Sequence, residues 1–236
     1  SGCSINWTVI RVTEQEARAR YVSIALSYVG MEKGTALHHY LIDQYNKIRP
    51  LPRAYEVKYT DDYCAAFVSS CAYQAAMTSI IFPECGCEEM IKLYQRAGRW
   101  EERDDYKPRI GDLLFYDWQD SGVGDASGWA DHVAVVVAVD STGYDTCEGN
   151  TSGGQVLKKR RSFDDQYTRG FALPDYSSFA AACNAANKDQ PSSYAAEAVA
   201  WAKENGISDG SSPKAYATRE QMITMLYRFH NKFKEE

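Results

Sequence analysis

A cysteine and a histidine lie where a nucleophile and its base are expected. Cys64 opens a helix-prone run, Cys64 to Met77, that is rich in Ala, Val and Phe. A thiol in the first turn of a helix faces unpaired backbone N–H groups and the positive end of the helix dipole, and both favour the nucleophilic thiolate. His132 follows a polar loop and opens the strongest predicted strand, with Asp131 beside it. A cysteine nucleophile needs such a base, and a third group to orient the base.

Glu148 and Asn150 are the candidates for that third group. They stand at the end of the next predicted strand, and adjacent antiparallel strands can place a polar side chain beside an imidazole. Either residue could hold the histidine tautomer that leaves the other ring nitrogen facing the sulfur. A lone cysteine in an apolar helix is more often a small buried hydrophobe. The order of cysteine on a helix, histidine at a strand start and Glu-x-Asn at the next strand is much more specific for a cysteine nucleophile with its base.

Metal sites are weaker alternatives near the cysteine. Asp61 and Asp62 precede the helix and are expected to cap it, because two carboxylates are too few to predict calcium. Cys85 and Cys87 could bind zinc with Cys71, but the pair lacks the CxxC spacing and no second metal-type pair follows. No metal and no cofactor are therefore expected.

The elements that must position these residues give an α+β layout, with helices first and an antiparallel sheet after them. Thr13 and Glu16 form a capping box at the first helix. The helices are predicted at Thr13 to Val29, His38 to Ile48, Cys64 to Met77 and Cys87 to Ala97. The strands are predicted at Leu113 to Tyr116, His132 to Val139, Tyr144 to Glu148, Gln155 to Arg161 and Arg169 to Ala172.

The C-terminal part is predicted to be a separate helical hairpin. Residues 1–176 form the first predicted domain, and residues 177–193 are rich in Ser, Ala and Asn without clear periodicity, which predicts a linker. Residues 194–236 contain two predicted helices. A hairpin of about forty residues buries too little surface to be stable alone. Its apolar residues are therefore expected to cover the catalytic domain, another chain or partner repeats.

Composition excludes some classes of partner. The chain has 236 residues and a net charge of −6, which argues against nucleic acid as the main partner. The basic run Lys158 to Arg161 is interpreted as a solvated strand end. No apolar stretch is long enough to span a membrane. Seven cysteines at irregular spacing suggest thiols that stay mostly reduced, as in a protein that folds in a cytosol.

Four segments together resemble a known family. They are Tyr63 to Val68, Pro108 to Tyr116, Asp131 to Val136 and Glu148 to Asn150. The set resembles a CHAP domain, a cysteine- and histidine-dependent amidohydrolase or peptidase of the papain-like, NlpC/P60-related class, over roughly residues 13 to 176. The loop Asp117 to Gly128 and the ending Arg169 to Pro174 resemble versions found in phage and prophage endolysins of Gram-positive gut bacteria.

The resemblance implies a papain-like fold and cleavage of an amide bond in bacterial peptidoglycan. It implies Cys64 as nucleophile, His132 as base, Glu148 as orienting acid and Asn150 as a supporting group. The expected substrate contacts are Tyr63, Trp129 and Asp131, with Tyr63 standing where the family commonly has tryptophan. A catalytically inactive wall-binding protein and a small-molecule cysteine amidase are the alternatives. The chain is expected to be made in the bacterial cytoplasm and to act at the cell wall after release or export.

The tail resembles a second family. Residues 198–210 and 217–229 are similar to one S-layer homology (SLH) repeat, a family that binds cell-wall polysaccharide, usually with three repeats together. Only one repeat is present, and its usual Thr-Arg-Ala-Glu motif is altered between Ala217 and Gln221. The resemblance implies wall binding through this segment. Because the family usually has three repeats, it also implies that residues 194–236 associate between chains, with a trimer favoured.

Overall fold

The computed structural model describes residues 12–103, 105–118, 128–188, 191, 195–210, 213, 217 and 219–234. The helices are α1 (Glu14–Leu26), α2 (Ala36–Asn46), α3 (Cys64–Gln74), α4 (Cys87–Arg96), α5 (Tyr176–Lys188), α6 (Ala196–Glu204) and α7 (Arg219–Lys232). The strands are β1 (Trp100–Glu101), β2 (Leu113–Tyr116), β3 (His132–Val139), β4 (Tyr144–Thr151), β5 (Gln155–Arg161) and β6 (Thr168–Ala172).

The predicted α+β class is confirmed. Helices α1 to α4 precede an antiparallel sheet whose strand order is β1-β6-β2-β3-β4-β5. The predicted capping box of α1 is present, with the Thr13 hydroxyl accepting from the backbone N–H of Glu16 and the Glu16 carboxylate accepting from the Thr13 N–H. None of the described helices is long and apolar enough to cross a membrane.

The chain divides into two compact units. One is Thr13–Phe179, and the other comprises the described residues of Ser1–Val12 and Ala180–Glu236. The first unit contains the sheet and α1 to α4, and therefore all the candidate catalytic residues. The predicted domain boundaries at 176 and 194 remain predictions, and the expected start of the second tail helix, Thr218, lies outside the described residues.

The segment predicted as a linker is largely helical, which corrects that expectation. Helix α5 runs through it to Lys188. The Asp175 carboxylate accepts from the backbone N–H of Ser178 and from the hydroxyl of Ser177, so it caps the first turn. Alanine, the strongest helix former, is frequent in the helix and outweighs the missing periodicity, and Pro191 comes only after it.

The two faces of the sheet have different roles around β3 and β4. Val136 of β3 pairs with Thr146 of β4. Because every second residue of a strand points to the same face, His132 of β3 lies on the face of the sheet that carries Thr146 and Glu148. The opposite face of β4 packs on the helices, since a Cβ added to Gly149 would lie 2.7 Å from the Cβ of Phe67 in α3. Only glycine permits this approach of strand to helix.

Candidate active site

Cys64 is the first residue of α3, as the sequence predicts. The N-cap position is Tyr63, whose side chain makes no capping hydrogen bond, so the first-turn N–H groups are left to the site. The backbone N–H of Ala65 donates to the Cys64 sulfur. The residue as a whole is partly exposed. This is the local environment that stabilises a thiolate.

Cys87 is an unexpected partner of the nucleophile. It is the first residue of α4, and its Sγ lies 3.5 Å from the Sγ of Cys64. The hydrogen bond from Cys87 is the largest cause that holds the pKa of Cys64 well below its usual range. Burial raises this pKa, but the contacts with Cys87 and His132 together outweigh it. The same contact with Cys64, together with burial, raises the pKa of Cys87 well above its usual range.

His132 and Glu148 form a buried pair behind the thiol. The Nε2 of His132 lies 3.3 Å from the Oε2 of Glu148, and both side chains are at most 3% exposed. The two atoms lie within ion-pair distance but do not meet the geometry of a well-aligned hydrogen bond. Burial lowers the pKa of His132, but the contacts with Cys64 and Glu148 prevail and raise it to about 9. The two opposite shifts favour an imidazolium beside a thiolate.

A cradle of donors holds the Glu148 carboxylate. Its Oε1 accepts from the hydroxyls of Thr146 at 2.7 Å and Tyr116 at 3.1 Å, and from Arg161 Nη2 at 2.7 Å. The Nζ of Lys159 lies 3.4 Å from Oε2. Burial raises the pKa of Glu148, but contacts with His132, Arg161 and Thr146 lower it well below its usual range. Glu148 is thus a fully buried carboxylate that remains ionised.

The basic run is not simply a solvated strand end, which corrects the sequence interpretation. Lys159 and Arg161 face Glu148, whereas the alternate residues Lys158 and Arg160 pair with carboxylates such as Asp145 on the other face of the strand. The period of two along a strand divides the run between the two faces. Half of the basic run therefore belongs to the candidate active site.

Asn150 lies close to the nucleophile helix and not against the imidazole. Its Nδ2 donates to the Oδ1 of Asp62 at 2.9 Å, and its backbone has a φ of 56°. Asparagine is among the few residues that adopt this conformation readily. Asn150 therefore joins the end of β4 to the segment before α3, and of the two predicted third groups it is Glu148 that lies beside His132.

Residues 54–150 match the CHAP domain family. The chain carries a CHAP domain over these residues. CHAP domains are generally cysteine- and histidine-dependent amidases or peptidases. Comparison with curated proteins gave no match, and comparison with solved structures gave none. The matched range contains Cys64, His132 and Glu148, whereas Arg161 lies beyond it. Residues 119–127, part of the loop that resembles endolysins, lie outside the described residues.

The two aspartates before α3 do not cap it, so the capping prediction is wrong. The Asp61 carboxylate accepts from the backbone N–H of Lys58 and the hydroxyl of Tyr55, and Asp62 binds Asn150. Tyr63 takes the N-cap position instead, with a φ of −131° and a ψ of 16°. Both aspartates line a cavity of about 440 Å³ with Arg53, Tyr55, Val57 and Cys85. No group of three or more metal-ligating side chains occurs among the described residues.

Of the three expected substrate contacts, Trp129 is the most accessible. Its side chain is 69% exposed, and Lys92 Nζ lies 5.1 Å from its ring centre. Asp131 accepts from the backbone N–H of Trp118. The Tyr63 ring is fully buried and its hydroxyl donates to the carbonyl of Gly154, so it packs and has no surface for a substrate. The expectation for Tyr63 is corrected accordingly.

Trp118 is a residue of the CHAP domain that the sequence analysis did not single out. Its ring stacks on His132 with centroids 5.1 Å apart and an interplanar angle of 25°. About half of the tryptophan is exposed. Trp118 follows β2, and Tyr116 of that strand pairs with His132 of β3. Sequence analysis could have identified Trp118 from its position, because it is an aromatic residue just after β2, the strand that pairs with the start of β3.

Proposed function

We propose that the protein is a peptidoglycan hydrolase whose CHAP domain cleaves an amide bond of the bacterial cell wall through a covalent acyl-enzyme. The observation that carries the proposal is the contact of His132 with both the Cys64 thiol at the start of α3 and the buried Glu148 carboxylate, 3.3 Å from its Nε2. A thiolate already formed beside an imidazolium needs no separate activation step. In this proposal Cys64 is the nucleophile, His132 the general acid and base, and Glu148 the group that holds the imidazole.

The reaction starts with attack of the Cys64 thiolate on the amide carbonyl carbon. The backbone N–H groups at the start of α3 are placed to stabilise the oxyanion that develops, and the N–H of Cys64 is the first of them. The imidazolium of His132 donates its proton to the departing amine. Neutral His132 then takes a proton from water, which attacks the thioester and releases the acyl group.

The imidazole nitrogens are assigned by the position of Glu148. Nε2 faces the carboxylate, which leaves Nδ1 for exchange of the proton with sulfur, amine and water. A carboxylate stabilises the imidazolium that recurs in each half-reaction, and an amide would only orient it. Asn150 supports this geometry from Asp62 and is not the third member of the triad. Trp118 shields one face of the ring.

The test compares Cys64→Ser with the wild type on purified Gram-positive sacculi, in a gel that reports lysis. We expect loss of lysis in a folded variant, because a hydroxyl is a much weaker nucleophile at this site. Cys183→Ser is the matched control, since Cys183 is also free and half-buried but lies in α5. Mass spectrometry of released muropeptides identifies the bond. Retained lysis by Cys64→Ser would contradict the proposal.

Two other outcomes separate the alternatives. A folded wild-type protein that binds sacculi without releasing peptides, and whose Cys64 is not alkylated faster than Cys71, would be an inactive wall-binding protein. Rapid alkylation of Cys64 together with turnover of small amides, but not of sacculi, would identify a small-molecule amidase. Release of peptides from sacculi excludes both.

We propose further that the protein is an endolysin of the phage or prophage type. The protein would be made in the bacterial cytoplasm and reach the wall after release or export. Two features support this proposal: the CHAP domain, and the resemblance of the segment Arg169 to Pro174 to the corresponding segment of phage and prophage endolysins. Expression in a Gram-positive host, with fractionation before and after membrane permeabilisation, tests this route. Lysis that begins only after permeabilisation is the expected result.

The C-terminal unit is proposed to bind cell-wall polysaccharide as an SLH-like element that self-associates, with a trimer favoured. In it Trp201 of α6 stacks on Phe233 with centroids 5.8 Å apart. On α7, Ile223, Leu226 and Tyr227 are 65%, 68% and 66% exposed. Apolar side chains exposed on one helix are typical of a surface that another chain covers. Linked copies would multiply weak wall contacts.

Light scattering on the full chain tests the self-association. We expect an oligomer for the wild type and a monomer for Leu226→Glu, which places a charge on the exposed face of α7. Thr224→Glu is the control for added charge on the same helix, and it should leave the oligomer intact. A monomeric wild type at micromolar concentration would contradict the proposal. Retention on isolated walls should weaken together with the loss of the oligomer.

A further inference from the structure

A second thiol stands beside the proposed nucleophile. Cys64 and Cys87 are each the first residue of a helix, α3 and α4, and their Sγ atoms lie 3.5 Å apart. Both cysteines are free. The acyl-transfer mechanism uses only the Cys64 sulfur, so it does not explain why a second thiol lies in contact with it.

We propose that Cys64 and Cys87 form a reversible oxidation site, at which a peroxide oxidises Cys64 and Cys87 then closes a disulfide with it. Cys64 is the more exposed residue of the pair, since it is partly exposed whereas Cys87 is only 7% exposed. Sensor cysteines combine an accessible thiolate with a resolving cysteine in this way. The oxidised protein would be inactive, which rests on the proposed function of Cys64 as the nucleophile. Reduction of the disulfide would restore the active form.

The chemistry balances with hydrogen peroxide as the only added reagent. The Cys64 thiolate attacks one peroxide oxygen, the O–O bond breaks, and hydroxide leaves and is protonated to water. Cys64 is then a sulfenic acid. The Cys87 sulfur attacks the Cys64 sulfur, its own proton is lost, the S–O bond breaks, and a second water forms. Two thiols have lost two electrons and two protons, and the peroxide has been reduced to two waters.

The surroundings of the two sulfurs favour this sequence of steps. The pKa of Cys64 is held well below its usual range by Cys87 and His132, so the attacking thiolate is present. The largest cause of the raised pKa of Cys87 is its hydrogen bond to Cys64. Oxidation of Cys64 to the neutral sulfenic acid removes that negative partner, so Cys87 becomes easier to deprotonate when it must attack.

The other buried thiols do not share these properties. Burial raises the pKa of Cys71 well above its usual range and that of Cys147 to about 12. The Cys147 Sγ donates to the carbonyl of Ala25 at 3.3 Å, and the neighbouring Cys147 adds to burial in raising the pKa of Cys71. Only about 1.5 Å of approach separates the Cys64–Cys87 contact from a bonded S–S distance of about 2 Å. Oxidation is therefore expected to be specific to this pair.

In the experiment, the full chain is treated with hydrogen peroxide and then with a dithiol reductant. The mass of the protein and its lysis of sacculi are measured after each step. We expect the wild type to lose two hydrogen atoms, to yield a linked Cys64–Cys87 peptide, and to recover its activity on reduction. Cys87→Ala should instead gain two oxygen atoms at Cys64, as the sulfinic acid, and should not recover. Cys87→Ser provides the same test with a nearly isosteric side chain.

Cys147→Ala is the matched control, because it removes another buried thiol and should still form the linked peptide. The proposal is overturned if oxidised wild type contains no Cys64–Cys87 link, or if both Cys87 variants recover as fully as wild type. The peptide mass reports disulfide formation whether or not the protein lyses sacculi. Failure of the proposed function and failure of this proposal are therefore distinguishable.

Discussion

Replacing Arg161 with methionine should destabilise the CHAP-containing unit while leaving the catalytic residues in place. The guanidinium donates to Glu148 Oε1 through Nη2 at 2.7 Å and Nε at 3.2 Å, and it lies 4.9 Å from the ring centre of Tyr116. Glu148 is fully buried and the Arg161 side chain is 21% exposed. The variant removes the nearest cation from a buried carboxylate and keeps much of the apolar stem.

The size of the stability loss depends on the contacts that the Glu148 carboxylate keeps in the variant. Breaking a buried ion pair by removing one partner costs roughly 3–5 kcal/mol. Thr146, Tyr116, Lys159 and His132 still contact Glu148 in the variant, so we expect the lower end, about 3 kcal/mol. Urea unfolding followed by circular dichroism measures the loss as a lower midpoint.

Arg160→Met is the matched control. Arg160 is the neighbouring residue of β5, carries the same side chain, and pairs with Asp140 and Asp145 at an exposed site. Exposed pairs of this kind contribute little, so its midpoint should stay close to that of the wild type. Equal losses in the two variants would refute the argument that the buried face of β5 supports the site.

The loss in Arg161→Met should depend on pH in a defined direction. The pKa of Glu148 is lowered in the folded protein, so its ionisation contributes stability above the unfolded value of about 4.3. That contribution is lost as the pH falls through the folded value. The variant has a smaller contribution to lose. The difference in stability between wild type and variant should therefore narrow below about pH 4 and stay constant from pH 5 to 7.

Three further predictions concern the chemistry. Activity should fall on the alkaline side with a midpoint near the His132 pKa of about 9, because the imidazolium supplies the proton for the leaving amine; a limb near the ordinary value of about 6.5 would contradict the shift. Glu148→Gln should lose much more kcat than Asn150→Ala in steady-state assays, and the reverse order would make Asn150 the third member of the triad. Trp118→Ala should lower kcat/KM by about two- to tenfold, since a stacked aromatic pair contributes roughly 0.5–1.5 kcal/mol, and unchanged kinetics would show that shielding His132 has no role.

The elements with strong local patterns were predictable from the sequence. The apolar run of β3 and the residues of β2 and β5 have the predicted bounds, because alternation and β-branched content determine them locally. Cys64 at the start of α3 and His132 at the start of β3 followed from helix and strand signals. The helical α5 was missed because its signal is propensity and a capping aspartate, Asp175, without a hydrophobic stripe.

The partners of the candidate triad could not be predicted in the same way. Cys87 meets Cys64 across a separation of 23 residues, and nothing in the local sequence around either residue specifies that α3 and α4 begin at one place. Lys159 and Arg161 stand in a run with a charge at every position, so the sequence does not say which face of β5 is buried. The pairing of β4 with β5 decides which face is buried. Lys159 pairs with Thr146, which lies on the same face of the sheet as Glu148.

The two cations on Glu148 explain how one carboxylate serves both halves of the proposed reaction. His132 is charged when it faces the thiolate and neutral after it has protonated the leaving amine. A buried carboxylate whose only cation was the imidazole would be unpaired in the neutral state, and its pKa would rise. Arg161 and Lys159 keep Glu148 ionised throughout, so it is ready to stabilise the imidazolium again when water is deprotonated. Charge on Glu148 is thus independent of the proton that His132 carries, and this requirement accounts for basic residues on a strand that contributes no catalytic group.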